Sequence, residues 1–327
     1  MKYLKIVEAG FLTTVQDVGR FGFRGFGMPL SGAMDIYSYT LGNLIVGNDY
    51  NDAALEVTLT GPVIRFPGRM TIAVTGADMT PMINGHPVAM WRTLNVSRGD
   101  LLSFGALISG ARSYVAVSGG IRVPVVMGSR STYLRGRLGG YNGRKLLAQD
   151  SVPVHSGLNL FAKKIVLPLS LIPEWRQEVT LNLLPGVDYD GFSDSSREIL
   201  VNGHFKVTNN SDRMGIRLSG MPMKHNNGAD VISYPLAPGT VQVPGDGQAV
   251  IMLSDSQTVG GYRQIANIAT SDLFKAGQLR PGDTIRFRLI TYDEALSCLT
   301  EQTTEICSIF GKKNIKPGTG FYKIIPS

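Results

Sequence analysis

Cysteine is nearly absent from this chain. Cys298 and Cys307 are the only two in 327 residues, with no C-x-x-C spacing and no histidine pairing. That pattern argues against a disulfide-built secreted fold and against a thiolate metal site, and it fits a reducing compartment. Histidine is scarce too: His86, His155, His204 and His225 are dispersed, no H-E-x-x-H occurs, and they read as surface or capping residues. Long apolar runs are missing, so nothing approaches the ~18–20 residues of a membrane helix. The opening residues Met1–Glu8 lack the apolar stretch of an export signal, and the expectation is a soluble cytoplasmic protein. No G-x-x-x-x-G-K-[ST] is present, and Gly22–Gly27 lacks dinucleotide-binding spacing. No Ala-Met-Lys-Met sequence is available for biotin attachment; Met221–Lys224 is only a look-alike, interrupted by Pro222. Lys and Arg are scattered without interleaved aromatics, which disfavours nucleic acid as a partner.

What is abundant is apolar residues (43%), glycine (39) and proline (17), the mixture of a cored protein with many short turns. The formal charge of +7 favours anionic ligands. Short β-rich runs recur: Lys2–Ala9, Ala53–Thr60, Met70–Thr75, Val88–Val96, Leu101–Phe104, Ser113–Ser118, Glu178–Leu184, Thr240–Val243, Ala249–Leu253 and Thr284–Ile290. Asn84-Gly85 signals a hairpin. Helices are expected over Met34–Val46, Ser193–Val201 and Tyr292–Gly311, with one helical turn at Asp272–Ala276. Ser31 or Asp35 is placed to cap the first, and Gly47 to end it. Long βα alternation is absent, so the expected fold class is all-β, with two barrel-like halves and a few short helices. The expected organisation is an N-terminal β half (1–155), a linker (156–177) and a C-terminal β half (178–327). One local echo links the halves: Gly99–Phe104 (GDLLSF) and Gly282–Phe287 (GDTIRF).

Three constellations carry candidate chemistry. Gln16-Asp17-Val18-Gly19-Arg20 joins an amide, a carboxylate and a guanidinium in a glycine-rich loop. Asp17 is a candidate general base, and Arg20 suits a carboxylate or phosphate. An Asp–Arg pair stapling the loop is the alternative. Gly128–Tyr133 flanks Arg130 with Ser129, Ser131 and Thr132, a set suited either to an anion or to a hydroxyl-rich turn. Gln242 and Gln257 offer neutral donors and acceptors for an amide or ureido group, beside Asp255 and Tyr262 as proton-transfer candidates. The Thr-Gly-Gly-Tyr segment also reads as a simple turn. Asp35 and Arg213 complete the binding set.

Ten segments in order carry a family resemblance: VQDVGRFG (15–22), SGAMDIYS (31–38), NLIVGN (43–48), LEVTLTGP (55–62), GGIRVPVVMGSRSTY (119–133), GGYNGR (139–144), SDRMGIRLSG (211–220), VQVPGDGQ (241–248), DSQTVGGYRQIA (255–266) and LRPGD (279–283). With them the chain resembles the biotin-dependent carboxyltransferase-like family, also called allophanate hydrolase subunit 2, which includes the C subunit of prokaryotic 5-oxoprolinase. The resemblance implies a cyclophilin-like β-barrel architecture. It implies a cytoplasmic hetero-oligomer with a B subunit of the allophanate hydrolase subunit 1 type and an A subunit. Together these open 5-oxoproline to L-glutamate with ATP and Mg, bound on a partner or shared, and without biotin attached to this chain. Relatives transfer carboxyl groups from carboxybiotin to urea, or antagonise a kinase inhibitor; both stand as alternative functions. Two departures from the family pattern are visible: Ser233-Tyr234-Pro235 in place of Ser-Glu-Gly, and Gln149-Asp150 in place of Gly-Asp.

Overall fold

A computed structural model describes residues 2–155 and 164–311. Part of the expected linker, 156–163, and the last residues of the expected C-terminal half, 312–327, lie outside the described residues. The described chain forms two units: 2–21, 31–155, 164–175 and 305–311 make the first, and 22–30 with 176–304 the second.

The first unit is built from two sheets. One has six strands in the spatial order Ser151–Val154, Lys2–Glu8, Val63–Arg65, Leu101–Phe104, Pro81–Ile83, His86–Pro87. The other has five: Leu12–Gln16, Ala54–Thr58, Ser109–Val117, Met70–Asp78, Leu94–Val96. Strand residues alternate between faces. Ile72, Val74, Val115 and Val117 enter one core with Leu4, Ile6, Ile64 and Leu102 of the six-stranded sheet. Ala73, Tyr114 and Ala116 face the other way, toward helix α1 (Ile36–Ile45). Small residues let α1 approach: a Cβ on Gly42 would lie 2.9 Å from Thr75 Oγ1 and 3.5 Å from Ala116 Cβ. Asp35 is the N-cap, accepting from Ser38 N at 2.8 Å, and Gly47 follows the last turn at φ 76.

The second unit closes. Its seven-stranded barrel runs Glu178–Pro185, Gln264–Ile268, Thr240–Gln242, Val250–Met252, Gly215–Ser219, Phe205–Val207, Thr284–Leu289 and back to the first. Every pairing is antiparallel except Glu178–Pro185 with Thr284–Leu289, which run parallel with Leu181 opposite Phe287. A separate hairpin-like pair, Asp230–Pro235 and Val259–Tyr262, accompanies it. Helix α2 (Asp194–Asn202) is capped by Ser193, and α3 is the single turn Leu273–Ala276. Helix α4 (Tyr292–Phe310) starts on a capping box: Thr291 N donates to Glu294 Oε2 at 2.7 Å, and Glu294 N to Thr291 Oγ1 at 3.2 Å.

The fold is mainly β with four helices among the described residues, as the short β runs led one to expect. The barrel closure belongs to the second unit; the first is the two-sheet arrangement. One expected strand is too long. Within Val88–Val96 only Leu94–Val96 pairs as a strand, because Trp91 takes φ 58, which extended backbone does not accommodate.

The GDLLSF and GDTIRF echo is one turn made twice. Gly99 N donates to Phe66 O and Phe66 N to Asp100 O, both near 3 Å (2.9 and 3.0). Gly282 N and Val207 O, then Val207 N and Asp283 O, repeat this at 2.9 Å each. In each turn the aspartate Oδ2 accepts the N–H three residues back, from Ser97 at 2.7 Å or Arg280 at 2.9 Å. The glycines sit at φ 92 and 94, where a side chain would be strained.

The Gln149 departure has a cost of the same kind. Gln149 is exposed, yet its φ is 73. Left-handed backbone costs a non-glycine residue ~1–2 kcal/mol, offset in part by the greater unfolded-state freedom of glycine. Gln149→Gly is expected to stabilise the protein by roughly 0.5–1 kcal/mol, read as a higher urea midpoint at unchanged m-value.

Candidate functional site

Four of the family-like segments in the first unit meet at Asp17. This residue ends the strand Leu12–Gln16 and is 3% exposed. Its Oδ1 accepts from Gly19 N (2.9 Å), Ser129 Oγ (2.7 Å) and Ser131 Oγ (2.5 Å), and its Oδ2 accepts from Arg130 N (2.5 Å). Asp17 N donates to Ser131 Oγ at 2.9 Å, and Ala33 N donates to Asp17 O at 2.9 Å. Arg20 is fully buried and grips carbonyls: Nε donates to Val126 O (3.1 Å) and Nη2 to Ser131 O (2.5 Å). Arg130 Nε likewise donates to Val123 O at 3.1 Å. Gln16 Nε2 donates to Thr14 Oγ1 and Thr132 O, at 3.0 and 3.2 Å. Two glycines make room. A Cβ on Gly32 would lie 2.9 Å from Gly19 Cα, and one on Gly139 would lie 2.2 Å from Ser131 O and 2.6 Å from Arg20 Nη2.

The first two constellations are therefore one structure. Asp17 through its carboxylate and Arg20 through its guanidinium both hold the Gly128–Tyr133 loop. A buried carboxylate filled by four donors from its own chain is a clasp, and its oxygens face donors that a substrate would have to displace.

Asp35 lies in a second buried network. Its N–H donates to Tyr114 Oη (2.8 Å), Tyr114 Oη donates to Glu56 Oε2 (2.8 Å), and Met34 N donates to the same Glu56 oxygen (2.8 Å). Ser38 Oγ also donates to Asp35 Oδ2. Burial, then the Glu56 and Asp35 carboxylates, push the Tyr114 hydroxyl well above the usual tyrosine range, so it stays a donor. Sequence reasoning missed Glu56. Its signal was a charged residue within the otherwise β-forming run Ala53–Thr60, on the face it shares with no exposed neighbour: the whole strand Ala54–Thr58 is buried.

In the second unit Arg213 and Asp255 form a buried fork. Arg213 Nε donates to Asp255 Oδ2 (2.8 Å) and Nη2 to Asp255 Oδ1 (3.1 Å), with both side chains 5% exposed. Asp255 N donates to Arg213 O at 3.0 Å, closing the pair through the backbone. Gln242 is buried, and its Nε2 donates to Tyr262 O at 2.9 Å. The close packing needs glycine at 260, where a Cβ would lie 2.8 Å from that same nitrogen. Tyr262 itself is 43% exposed, and Gln257 is exposed.

Beside them stands a cluster the sequence did not reveal. Asp188 Oδ2 accepts from Gln264 N (2.8 Å) and from the Tyr234 hydroxyl. Asp188 Oδ1 lies 3.5 Å from Arg263 Nη1, and Arg263 Nε donates to Gly228 O at 2.8 Å. Burial, then the Asp188 hydrogen bond and charge, hold the Tyr234 hydroxyl above the ordinary range. Asp188, Tyr234 and Arg263 come from three separate segments, so no local spacing marks them; only the Ser233-Tyr234-Pro235 departure lay nearby. The candidate residues thus fall into two sets, one in each unit. Only Gln257 and Tyr262 among them combine an exposed side chain with a polar tip.

No three His, Cys, Asp or Glu side chains gather in a metal-holding group among the described residues. Asp17 and Asp255 are engaged by their own chain rather than open to a magnesium ion: four N–H and O–H donors hold the first, and the Arg213 guanidinium already neutralises the second.

The chain is similar to known proteins over most of its length. It is 36% identical over 299 residues to the C subunit of the Escherichia coli 5-oxoprolinase, covering 91% of this chain and 95% of that one. It is 37% identical over 329 residues to the urea amidolyase of Saccharomyces cerevisiae, covering 95% of this chain but 18% of that one. The crystal structure of the Kluyveromyces lactis urea carboxylase superposes with a TM-score of 0.88 at 33% identity, over 99% of this chain and 30% of that one. The match to the family described as "Carboxyltransferase domain, subdomain A and B" runs over residues 26–289, from the Gly-rich segment after Arg20 to the last barrel strand. By that span, and by its identity to these relatives, the chain belongs to this carboxyltransferase-domain family.

Proposed function

We propose that this protein is the C-type subunit of an ATP-hydrolysing 5-oxoprolinase, opening 5-oxoproline to L-glutamate together with A- and B-type partner subunits in the cytoplasm. One observation carries the reading: the chain is 36% identical over 299 residues to the E. coli 5-oxoprolinase C subunit, nearly the whole of which it matches. ATP and Mg are assigned to a partner or to a surface shared with one, since the buried carboxylates here are already filled. Biotin has no attachment sequence in this chain.

The chemistry suits the accessible groups of the second unit. A lactam presents a planar N–C=O edge with one donor and one acceptor, which an amide and a phenol can match. Gln257 and Tyr262 supply those groups. Gln242, Arg213 and Asp255 hold the segment that carries them. Phosphorylation of the lactam oxygen would make the carbonyl carbon electrophilic. The γ-phosphoryl group comes from ATP, and ADP leaves. Water then adds at that carbon and the C–N bond breaks toward the ring nitrogen, which takes up a proton, leaving the acyl phosphate of glutamate. A second water hydrolyses this to the carboxylate and phosphate.

Glutamate release from 5-oxoproline plus ATP tests the assignment. It is expected from the mixture with both partner subunits and not from this chain alone. An assembled complex that releases none overturns it. The structural likeness to urea carboxylase supports a second reading, carboxyl transfer to urea from biotin on another chain. That reading requires a carrier protein, so avidin would abolish the activity.

In the assembled enzyme, Tyr262→Phe and Gln257→Ala are each expected to lower kcat/KM by about 10- to 100-fold, the loss of one hydrogen bond to substrate. The thermal midpoint should barely move, because both side chains are exposed. Wild-type kinetics in both variants would remove these residues from the site.

A further inference from the structure

A cavity of about 620 Å³ lies in the first unit, and none of the candidate residues lines it. Its size is that of a small-molecule site. Both tryptophans of the chain line it, Trp91 and Trp175, with Met90, Ile108 and Pro173. The Trp175 indole is pinned by Nε1 donating to Gly76 O at 3.1 Å. Asp78 is the one charged residue in the lining. It is half-buried; its Oδ1 accepts from Thr80 N at 2.8 Å, and no ion pair reaches it among the described residues.

Two wall residues hold backbone conformations that side chains disfavour: Trp91 at φ 58 and Thr80 at φ 49. Trp91 is fixed there on both sides, its N–H donating to Val74 O (2.9 Å) and its carbonyl accepting from Leu167 N (3.0 Å). A bulky residue in the left-handed region is uncommon, and such positions concentrate at functional sites. Here the conformation serves to place an indole in the cavity wall.

We propose that this cavity binds a small organic cation, an ammonium group on an apolar body. The indoles attract a cation to their faces, the Asp78 carboxylate neutralises it, and the aliphatic wall takes the carbon skeleton. The same carboxylate would repel 5-oxoproline and glutamate, so the site is separate from the proposed lactam chemistry and does not rest on it.

The test uses the whole chain and three probes of one shape: 3-phenylpropylammonium, 3-phenylpropanol and 3-phenylpropionate. Tryptophan fluorescence reads the cavity directly, since both tryptophans line it. The ammonium is expected to give a saturable change, with the alcohol and the carboxylate at least about tenfold weaker. Asp78→Asn keeps the bond to Thr80 N and should bring the ammonium down to the level of the alcohol. Ile108→Lys, at a residue 62% exposed, sets a competing ammonium at the cavity and should weaken binding about tenfold or more. The proposal is overturned by no saturation up to about 10 mM, by equal affinity for the three probes, or by indifference of the ammonium to both variants. If Asp78→Asn loses its far-UV spectrum, Ile108→Lys decides alone.

Discussion

Asp17→Asn is expected to lose about 3–5 kcal/mol of folding stability, a large part of what holds a domain of this size. The wild-type carboxylate accepts four hydrogen bonds from Gly19, Ser129, Arg130 and Ser131. Asparagine keeps one acceptor and turns an amide N–H₂ toward donors. The hydroxyls can rotate away; the backbone N–H groups cannot. Each charge-assisted bond contributes ~1.5–3 kcal/mol; with the amide oxygen in the Oδ1 position the Arg130 N–H is left facing an N–H₂, and the other three bonds lose their charge assistance. The expected readout is a marked fall in the urea midpoint, with any activity loss following the unfolded fraction. Ser129→Ala should cost less, about 1 kcal/mol, since Ser131 still donates to the carboxylate. A variant as stable as the parent but inactive in the assembled enzyme would contradict the clasp and return Asp17 to catalysis.

The Arg213–Asp255 fork gives the second large effect. Arg213→Met leaves a buried carboxylate without its cation and is expected to cost about 3–5 kcal/mol. Asp255→Leu strands the guanidinium and should cost a similar amount. The double variant Arg213→Met/Asp255→Leu removes both charges and is expected to recover most of the loss, ending within about 1–2 kcal/mol of the parent. Denaturation of the three variants closes the cycle. Additive losses in the double variant would show that the two residues act separately, against the bidentate geometry at 2.8 and 3.1 Å. Activity in a stable double variant would further separate holding the Tyr262 segment from proton transfer by Asp255.

How much of this was legible in the sequence depended on the range of the interactions. Local signals worked: Asp35 as a cap, Gly47 after α1, and the Asn84-Gly85 turn with φ 53 and 79 all lie within a few residues. The barrel-like class was readable, but not which strands close it, because closure rests on the parallel pairing of strands about a hundred residues apart, Glu178 beside Thr284. At the candidate site the residue types were legible and the partners were not. Asp17 and Ser131 look like two separate reactive loops until the chain brings them to 2.5 Å. Glu56 and Asp188 went unnoticed, and Tyr234 was marked only as a departure, for the same reason: their meaning comes from contacts across 58, 76 and 46 positions. Trp91 defeated a propensity reading outright, since nothing in Val88–Val96 announces a left-handed tryptophan.

The duplicated glycine-aspartate turn will answer acid in two opposite ways. Hydrogen bonds from Asn84 and the Ser97 N–H hold Asp100 below the ordinary aspartate range. Asp283, with the same backbone bond, is raised, because its burial outweighs its hydrogen bonds and the nearby Arg280. The first turn therefore contributes stability above the unfolded aspartate pKa and loses it as pH falls through its folded value. The second gains as pH falls and gives that gain back as pH rises through its own raised value. As pH falls, the Asp283 turn tightens first, and only below the ordinary aspartate range does the Asp100 turn loosen, so one shared turn gives the two units opposite proton sensitivities.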